Sequence, residues 1–525
     1  MSVATRSRRG WSVDVSRRRR AATQMCKTGE NAESQAKMLH VVAVAALLRG
    51  AVACGSCCDD AGEPMSVGVV GAGFAGLGAA TRLAELGCSV TVLEARARAG
   101  GRAETKSVGG YDVDIGAQWL HGMRRHPLLP FIEAYGMTWT PTDYGDAVAY
   151  NATSPTPRVP SSVLDAWGES WEDEVYPQVA KMQDDTNEDE PLATAVASVV
   201  SRLGAAAGAL ARRAVLRFVL ANNVELTSAA DADDLSLWWW DSSPYLDDDV
   251  ATLEDAVVIP GYGVLAERIA ADLDAEVVFD APVSAASVAD GQVAVATTTG
   301  NSYVFDRVVV ALPLGVLQTD AVKFSPPLDD DALAARGAGV AEKYVLVFDR
   351  VFWPDDDFLY TVQPDPLEWL NLDRAIGAPS LACFAVGSLA LRLAQLSDAE
   401  KTAYFVDTLR RMFPGVGSID VVASEYSDWH ADERTLGGWS YVKPGAAYRS
   451  NDRRLKKPIL AGLGALAGEY VAEMFGTTAG AWLSGVAAAE CVVEGLCSGL
   501  KPASDGAAAP GLGAAVLLAV VAVWC

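Results

Sequence analysis

A run of strand-forming residues ends in the glycine-rich loop Val69-Val70-Gly71-Ala72-Gly73-Phe74-Ala75-Gly76, the segment that most narrows what this chain can become. The spacing is G-x-G-x-x-G, directly after a strand expected over Ser66–Val70 and ahead of a helix expected over Ala79–Leu86. Gly71 allows a tight turn, Gly73 lets the backbone approach a pyrophosphate, and Gly76 lets helix and strand pack closely. Free N–H groups and the dipole at the helix start favour that anion. A second strand is expected over Ser89–Leu93, and Glu94 ends it about 20 residues past the first glycine, where a carboxylate accepts from ribose hydroxyls. A glycine loop alone could be a structural turn. Strand, loop, helix, strand and acid in that order make a βαβ unit built for a dinucleotide.

The next residues choose among dinucleotides. Glu94-Ala95-Arg96-Ala97-Arg98-Ala99-Gly100-Gly101-Arg102 sets two glycines and an arginine after the ribose acid. The planar fork of Arg102 suits a second phosphate contact. A nicotinamide dehydrogenase has no need of such an element, so FAD is favoured.

At 525 residues the chain exceeds what one core usually organises, which implies two domains. Half of it is hydrophobic and 21% charged, a globular balance. Strands are expected over Glu276–Val283, Val293–Thr298 and Arg307–Leu312, a turn over Ala461–Ala467 and a long helix over Thr477–Glu490. Residues 146–250 read as helical and Trp-rich, with Asp184–Glu190 as a solvated acidic loop. Residues 331–430 carry strands over Tyr344–Asp349, Trp369–Leu372 and Leu381–Val386, then a helix through Leu396–Phe413. The fold class is α/β with an α+β second domain. A nucleotide domain drawn from 66–145, 251–330 and 431–500 interleaves with a substrate domain of sheet plus helices from 146–250 and 331–430.

The net charge of −25 disfavours nucleic acid and anionic lipid and attracts polycations, although solubility alone also accounts for it. The nine cysteines lack metal-ligand spacing, and no metal is expected. Cys54, Cys57 and Cys58 fall in a segment expected to be removed or disordered, Cys491 and Cys497 could bridge, and no disulfide framework is demanded. Residues 1–65 read as a basic leader plus a secretory signal: an apolar run from Met38 precedes Ala51, Ala53, Gly55 and Ser56, small residues that suit a peptidase. A transit peptide, or a cytoplasmic chain, is the alternative. In the tail, 501–525, the small residues Ser504–Ala507, a spacer and the apolar run Gly513–Cys525 resemble a GPI-anchor signal, with a plain tail anchor as the other reading. Either attaches the protein to a membrane. Nothing indicates an oligomeric state.

From about Val67 to Glu490 the sequence resembles the flavin-containing amine oxidases, and among them the polyamine oxidases. The glycine loop and Gly100-Gly101-Arg102 resemble that family, as does Asp114-Ile115-Gly116-Ala117-Gln118-Trp119-Leu120-His121-Gly122, where the family's backbone passes along the flavin. Asp280-Ala281-Pro282-Val283 resembles the strand whose valine backbone holds the adenine, and Val308–Leu317 another family signature. Ala467-Gly468-Glu469 and Gly476-Thr477-Thr478-Ala479-Gly480-Ala481-Trp482 resemble the segment that closes over the ribityl chain and isoalloxazine. The resemblance implies a Rossmann-like FAD domain of the amine oxidase/glutathione reductase type.

It also implies site residues. Lys343, in Glu342-Lys343-Tyr344-Val345, matches a lysine that reaches a water at flavin N5, and a lysine inside an apolar strand is costly without a polar partner. The alternative is a snorkelling surface lysine. Trp439, in Gly437-Gly438-Trp439-Ser440-Tyr441, matches one aromatic wall facing the flavin, where it would attract ammonium groups; otherwise it is core. Monoamine oxidases carry a flavin-linked Cys there, so FAD is expected to be non-covalent. The opposite wall, often Tyr, is Thr477 or Thr478, which leaves the cage half open. His121 lies where polyamine oxidases face substrate, and Glu225, in Val224-Glu225-Leu226, where some relatives hold a carboxylate; each could instead be structural. The implied reaction is polyamine oxidation: hydride passes to flavin N5, and O2 reoxidises the flavin to give H2O2, an aldehyde and an amine. A related oxidase of another amine (lysine-type or monoamine) and a non-catalytic FAD-binding protein are the rival readings.

Overall fold

The computed structural model describes residues 57–58, 62–122, 126–202, 217–242 and 255–494, which belong to one compact unit. Most of the leader, Cys54 and the C-terminal tail lie outside the described residues, as does Cys497.

The expected βαβ unit is present. Ser66–Val70 and Ser89–Leu93 are strands with the expected bounds, joined by a helix that starts at the loop itself, Phe74–Glu85. They lie within a five-stranded parallel sheet in the order Gly464–Leu466, Arg307–Val310, Ser66–Val70, Ser89–Leu93, Glu276–Val278. Valines fill both faces of its central strands, as a parallel sheet covered on both sides requires. The edge strand Gly464–Leu466 corrects the expected turn over 461–467. Its three residues are too short to carry a pattern, and only tertiary pairing makes it a strand.

The strand expected over Glu276–Val283 is broken. It stops at Val278, Asp280 takes a left-handed φ of 53°, Pro282 lacks an N–H, and Val283–Ala289 begins a separate four-stranded sheet. The break lets Asp280 and Ala281 donate to the carbonyls of Arg96 and Glu94, at 3.1 and 2.8 Å, so this segment lines the Glu94 corner.

The second large sheet has six strands in the order Val421–Tyr426, Ala341–Phe348, Ser380–Val386, Leu367–Asn371, Phe358–Gln363, Ala147–Asn151. All neighbours are antiparallel except the last pair. One face packs Tyr344, Leu346, Phe348, Trp369 and Cys383 against the helix Asp398–Met412. The other packs Val345, Val347, Leu370, Ala382 and Phe358 against Val113, Ile115 and Trp119 of the nucleotide-binding part. The alternation along each strand sorts the two sets.

The glycine-loop helix packs along the final helix, Thr478–Glu494. A Cβ on Gly485 would lie 1.9 Å from the Ala75 carbonyl, so no larger residue fits there. A disulfide joins Cys57 to Cys88 with Cα atoms 5.2 Å apart, and Cys58 and Cys491 are disulfide-bonded as well. The sequence demanded no such framework: pairing of Cys57 with a residue 31 positions on is set by how the first strand lies beside the second, which spacing alone does not reveal. The acidic run is also less solvated than expected. Asp189 accepts from the Ser236 hydroxyl and from the backbone N–H groups of Trp238 and Gly445.

Candidate active site

The nucleotide end is built first. Gly71 donates to the Leu93 carbonyl at 2.8 Å, tying the loop to the second strand. Buried Glu94 accepts from Ala72 N at 2.7 Å and Arg96 N at 2.8 Å; burial raises its pKa, and these N–H groups oppose the rise. The Gly100–Gly101 pair lies against the loop, with Gly100 N donating to Ala72 O at 2.8 Å. Ala95 follows Glu94 in the corner closed by Asp280 and Ala281, and Val283 heads the next sheet. A Cβ added to Gly73 would meet nothing within 4 Å, whereas one on Gly76 would strike the Gly71 carbonyl at 1.8 Å. The helix start therefore opens on free space at Gly73, and the loop behind it is sealed. A pyrophosphate on that N-terminus, with ribose at Glu94, fits these residues.

Arg102 reaches across the fold. Its guanidinium donates to the Gly438 carbonyl and to Glu469 Oε1, the latter at 3.2 Å. Glu469 also accepts from Ser440 Oγ at 2.7 Å and from the N–H groups of Ser440 and Gly476. Arg102 and Glu469 thus knot four of the quoted motifs together, and any phosphate contact falls to the remaining guanidinium nitrogens. Trp439 is half-buried and not core. Its indole N–H donates to the Thr227 carbonyl at 2.8 Å, and a Cβ on Gly476 would lie 3.0 Å from its ring. Thr477 caps the final helix, accepting from Gly480 N and donating to Met474 O. The Thr478 hydroxyl lies 3.0 Å from that of Tyr262.

Lys343 is only 3% exposed. Its Nζ donates to the carbonyls of Asp114 (2.9 Å) and Gly116 (2.6 Å) and to Gln118 Oε1 (2.8 Å), and lies 5.0 Å from the centre of the Phe384 ring. The snorkelling alternative is thereby excluded. Three acceptors match the three protons of an ammonium. Burial pulls the lysine pKa down, and the Asp114 carboxylate opposes that. Asp114 is itself pushed up by burial, opposed by Lys343, Thr105 and backbone N–H groups. Gly116 and Ala117 are fixed beside this contact, since a Cβ on Gly116 would lie 1.8 Å from Arg102 O, to which Ala117 N donates at 3.1 Å.

Trp119 extends the site, stacking on His121 at 6.3 Å and tilting against Phe384 at 5.3 Å between ring centres. Its buried indole N–H has no acceptor among the described residues. His121 Nδ1 lies 2.9 Å from Asp255 Oδ2, which orients the ring. Glu225 is buried, paired with Arg217 and accepting from Ala232 N at 3.1 Å, so its charge is already balanced within the protein. Asp114, Asp255, Phe384 and Glu368 are the residues of this region that sequence reasoning missed. For Glu368 the signal existed: an acid inside the apolar strand Leu367–Asn371 is as anomalous as Lys343 in its own.

The family profile described as flavin containing amine oxidoreductase matches residues 74–493. The chain belongs to that family. This amine oxidoreductase is 32% identical to probable polyamine oxidase 4 of Arabidopsis thaliana, over 72% of its own length and 77% of that protein's. It is 30% identical to polyamine oxidase 5 of Oryza sativa subsp. japonica, covering 82% and 87% of the two chains. The fold matches that of putrescine oxidase bound to putrescine, with a TM-score of 0.65 at 20% identity, over 82% of this chain and 99% of the other. The amine oxidoreductase is therefore an FAD enzyme acting on amines.

Proposed function

We propose that the enzyme oxidises polyamines (spermine, spermidine or their acetylated forms) at a carbon next to a secondary nitrogen. Similarity to plant polyamine oxidases supports the substrate class. The observation that carries the reading is Lys343, a buried ammonium gripped by Asp114 O, Gly116 O and Gln118 Oε1 where the 114–118 segment crosses the six-stranded sheet. Bound FAD, held non-covalently, supplies a two-electron acceptor that O2 restores with release of hydrogen peroxide. The protein's part is to hold the amine neutral and aligned, with Trp119 and Trp439 as aromatic surfaces that exclude water. Lys343 fixes the Asp114–Gln118 segment and orients a water by giving up one of these three acceptors to it. Net, one amine, one O2 and one water give an aldehyde, a smaller amine and hydrogen peroxide.

The Cys57–Cys88 disulfide supports an oxidising compartment, in line with a secretory route, because such bonds persist there. The test of function is anaerobic mixing of the FAD-loaded chain with spermine, spermidine, their N-acetyl forms and a monoamine. Bleaching of the flavin by polyamines, reversed by air with peroxide release, is expected. A flavin that no amine bleaches would sink the reading.

A further inference from the structure

Each buried acid in and around this site has charged or backbone partners, with one exception. Glu94 takes two N–H groups, Glu469 takes Arg102 and three more donors, and Glu225 takes Arg217. Glu342 accepts from the Ser427 hydroxyl and from the N–H groups of Trp429 and His430. Glu368, at 6% exposure, has one neutral donor among the described residues, the Tyr360 hydroxyl at a long 3.4 Å. No cation lies within ion-pairing distance of it among those residues. A carboxyl buried in this way is costly unless something charged arrives to match it.

Its position suggests what arrives. Lys343 pairs with Phe384, Phe384 with Glu368, and Glu368 with Tyr360, directly across four neighbouring strands. Directly opposed residues share one face of a sheet. Lys343 Nζ lies over the Phe384 ring and Tyr360 reaches Glu368, which confirms a single row on the face that Trp119 covers. Further along the same strands that face is apolar (Val345, Ala382, Leu370, Phe358) and packed as core. The row is where core gives way to site. Glu368 stands two strands from Lys343, about 10 Å between backbones, with one aromatic ring between them.

We propose that Glu368 binds the second, distal ammonium of a diamine or polyamine, so that the Lys343–Phe384–Glu368 row selects substrates by the spacing of their nitrogens. The assignment rests on the amine-oxidase reading above and deepens it. The Phe384 ring accommodates the methylene chain, and Glu368 becomes a charge-assisted acceptor when the ammonium enters. Without a cation the carboxyl stays protonated to about pH 7, because burial raises its pKa. Binding at lower pH then releases a proton. The other titratable groups facing it do not confuse this readout. The Tyr360 hydroxyl is pushed far up by burial, as is the Cys383 thiol on the sheet's opposite face, and Glu225, on the turn packed beside the strand, is held by Arg217. Lys343, in the same row, has Asp114 and not Glu368 as its charged neighbour.

The test is calorimetric binding of α,ω-diaminoalkanes and of n-alkylamines of equal length to the FAD-loaded enzyme, reduced with dithionite under argon so that no amine is consumed. Glu368→Gln keeps the volume and the Tyr360 hydrogen bond but cannot ionise. Diamine affinity should fall roughly 10- to 100-fold in Glu368→Gln, with monoamine affinity within about 2-fold of wild type. Wild-type binding of a diamine at about pH 6, measured in buffers of different ionisation enthalpy, should release close to one proton. Unchanged diamine affinity in Glu368→Gln, or no proton release in the wild type, overturns the assignment. Bleaching of the oxidised flavin by spermine or spermidine alongside either result leaves the oxidase reading standing; failure of every amine to bind or bleach overturns both.

Discussion

Gln118 and Lys343, 225 residues apart in the chain, meet through a buried 2.8 Å hydrogen bond that joins the flavin-side segment to the six-stranded sheet. The same ammonium also holds the Asp114 and Gly116 carbonyls, so one side chain fixes the segment's path and, under the proposed function, serves the reaction as well.

Replacing Lys343 with Met should therefore cost on both counts. Leaving even one of three buried acceptors unpaired costs about 1–3 kcal/mol, and a urea melt of the holoenzyme should show a loss in that range or above. Turnover, followed as oxygen consumption, should fall roughly 100-fold, the scale of losing one positioned proton-handling group.

Glu368 gives a pH signature in stability. Its folded pKa is raised from 4.5 to about 7, so the native state holds a proton that the unfolded chain gives up. Stability must then fall as pH rises from 4.5 towards 7 and stay reduced above. Glu368→Gln removes this term. Denaturant melts should show the variant gaining on wild type across that window, by up to about 3 kcal/mol at pH 8, with the gain vanishing near pH 4.

The two loop glycines separate cofactor binding from folding. Gly73 has an ordinary φ of −72° and open space before it, so Gly73→Ala should leave apoprotein melting unchanged while lowering the flavin-to-protein absorbance ratio. Gly76→Ala drives a methyl into the Gly71 carbonyl and should destabilise the apoprotein itself, by roughly 1–3 kcal/mol or more.

Glu469→Gln tests the knot between motifs. It takes the carboxylate charge away from the partly exposed Arg102 and weakens the acceptor of three further donors, a loss of about 1–3 kcal/mol. Flavin retention on gel filtration should drop together with the melting temperature. Reduction of Cys57–Cys88, or Cys57→Ser, should lower stability by about 2–4 kcal/mol without altering flavin content, since the bond lies at the far end of the first strand.

Much of this was legible in sequence where chemistry is local. The strands Ser66–Val70 and Ser89–Leu93 announced themselves by valine runs between turn signals, and Gly71, Gly73 and Glu94 by their spacing. Lys343 stood out because a charge in an apolar strand demands a partner, and the partners proved to be Asp114, Gly116 and Gln118. What stayed hidden depends on pairing between distant segments. The strand Gly464–Leu466 exists because Arg307–Val310 offers it an edge, and Cys57 reaches Cys88 because two strands lie side by side. Glu368 carried the same anomaly as Lys343, but its meaning lies in the register that aligns it with Phe384, which no single strand encodes.

The edge strand Gly464–Leu466 and the helix Thr478–Glu494 complete a sheet and a helix pair begun at Ser66, which sets the order of events during synthesis. A nascent chain emerging at about 5–20 residues per second exposes its dinucleotide loop long before the elements that brace it. Folding of the cofactor site must wait for almost the whole polypeptide, so a truncated product retains the glycine motif yet cannot assemble a flavoprotein.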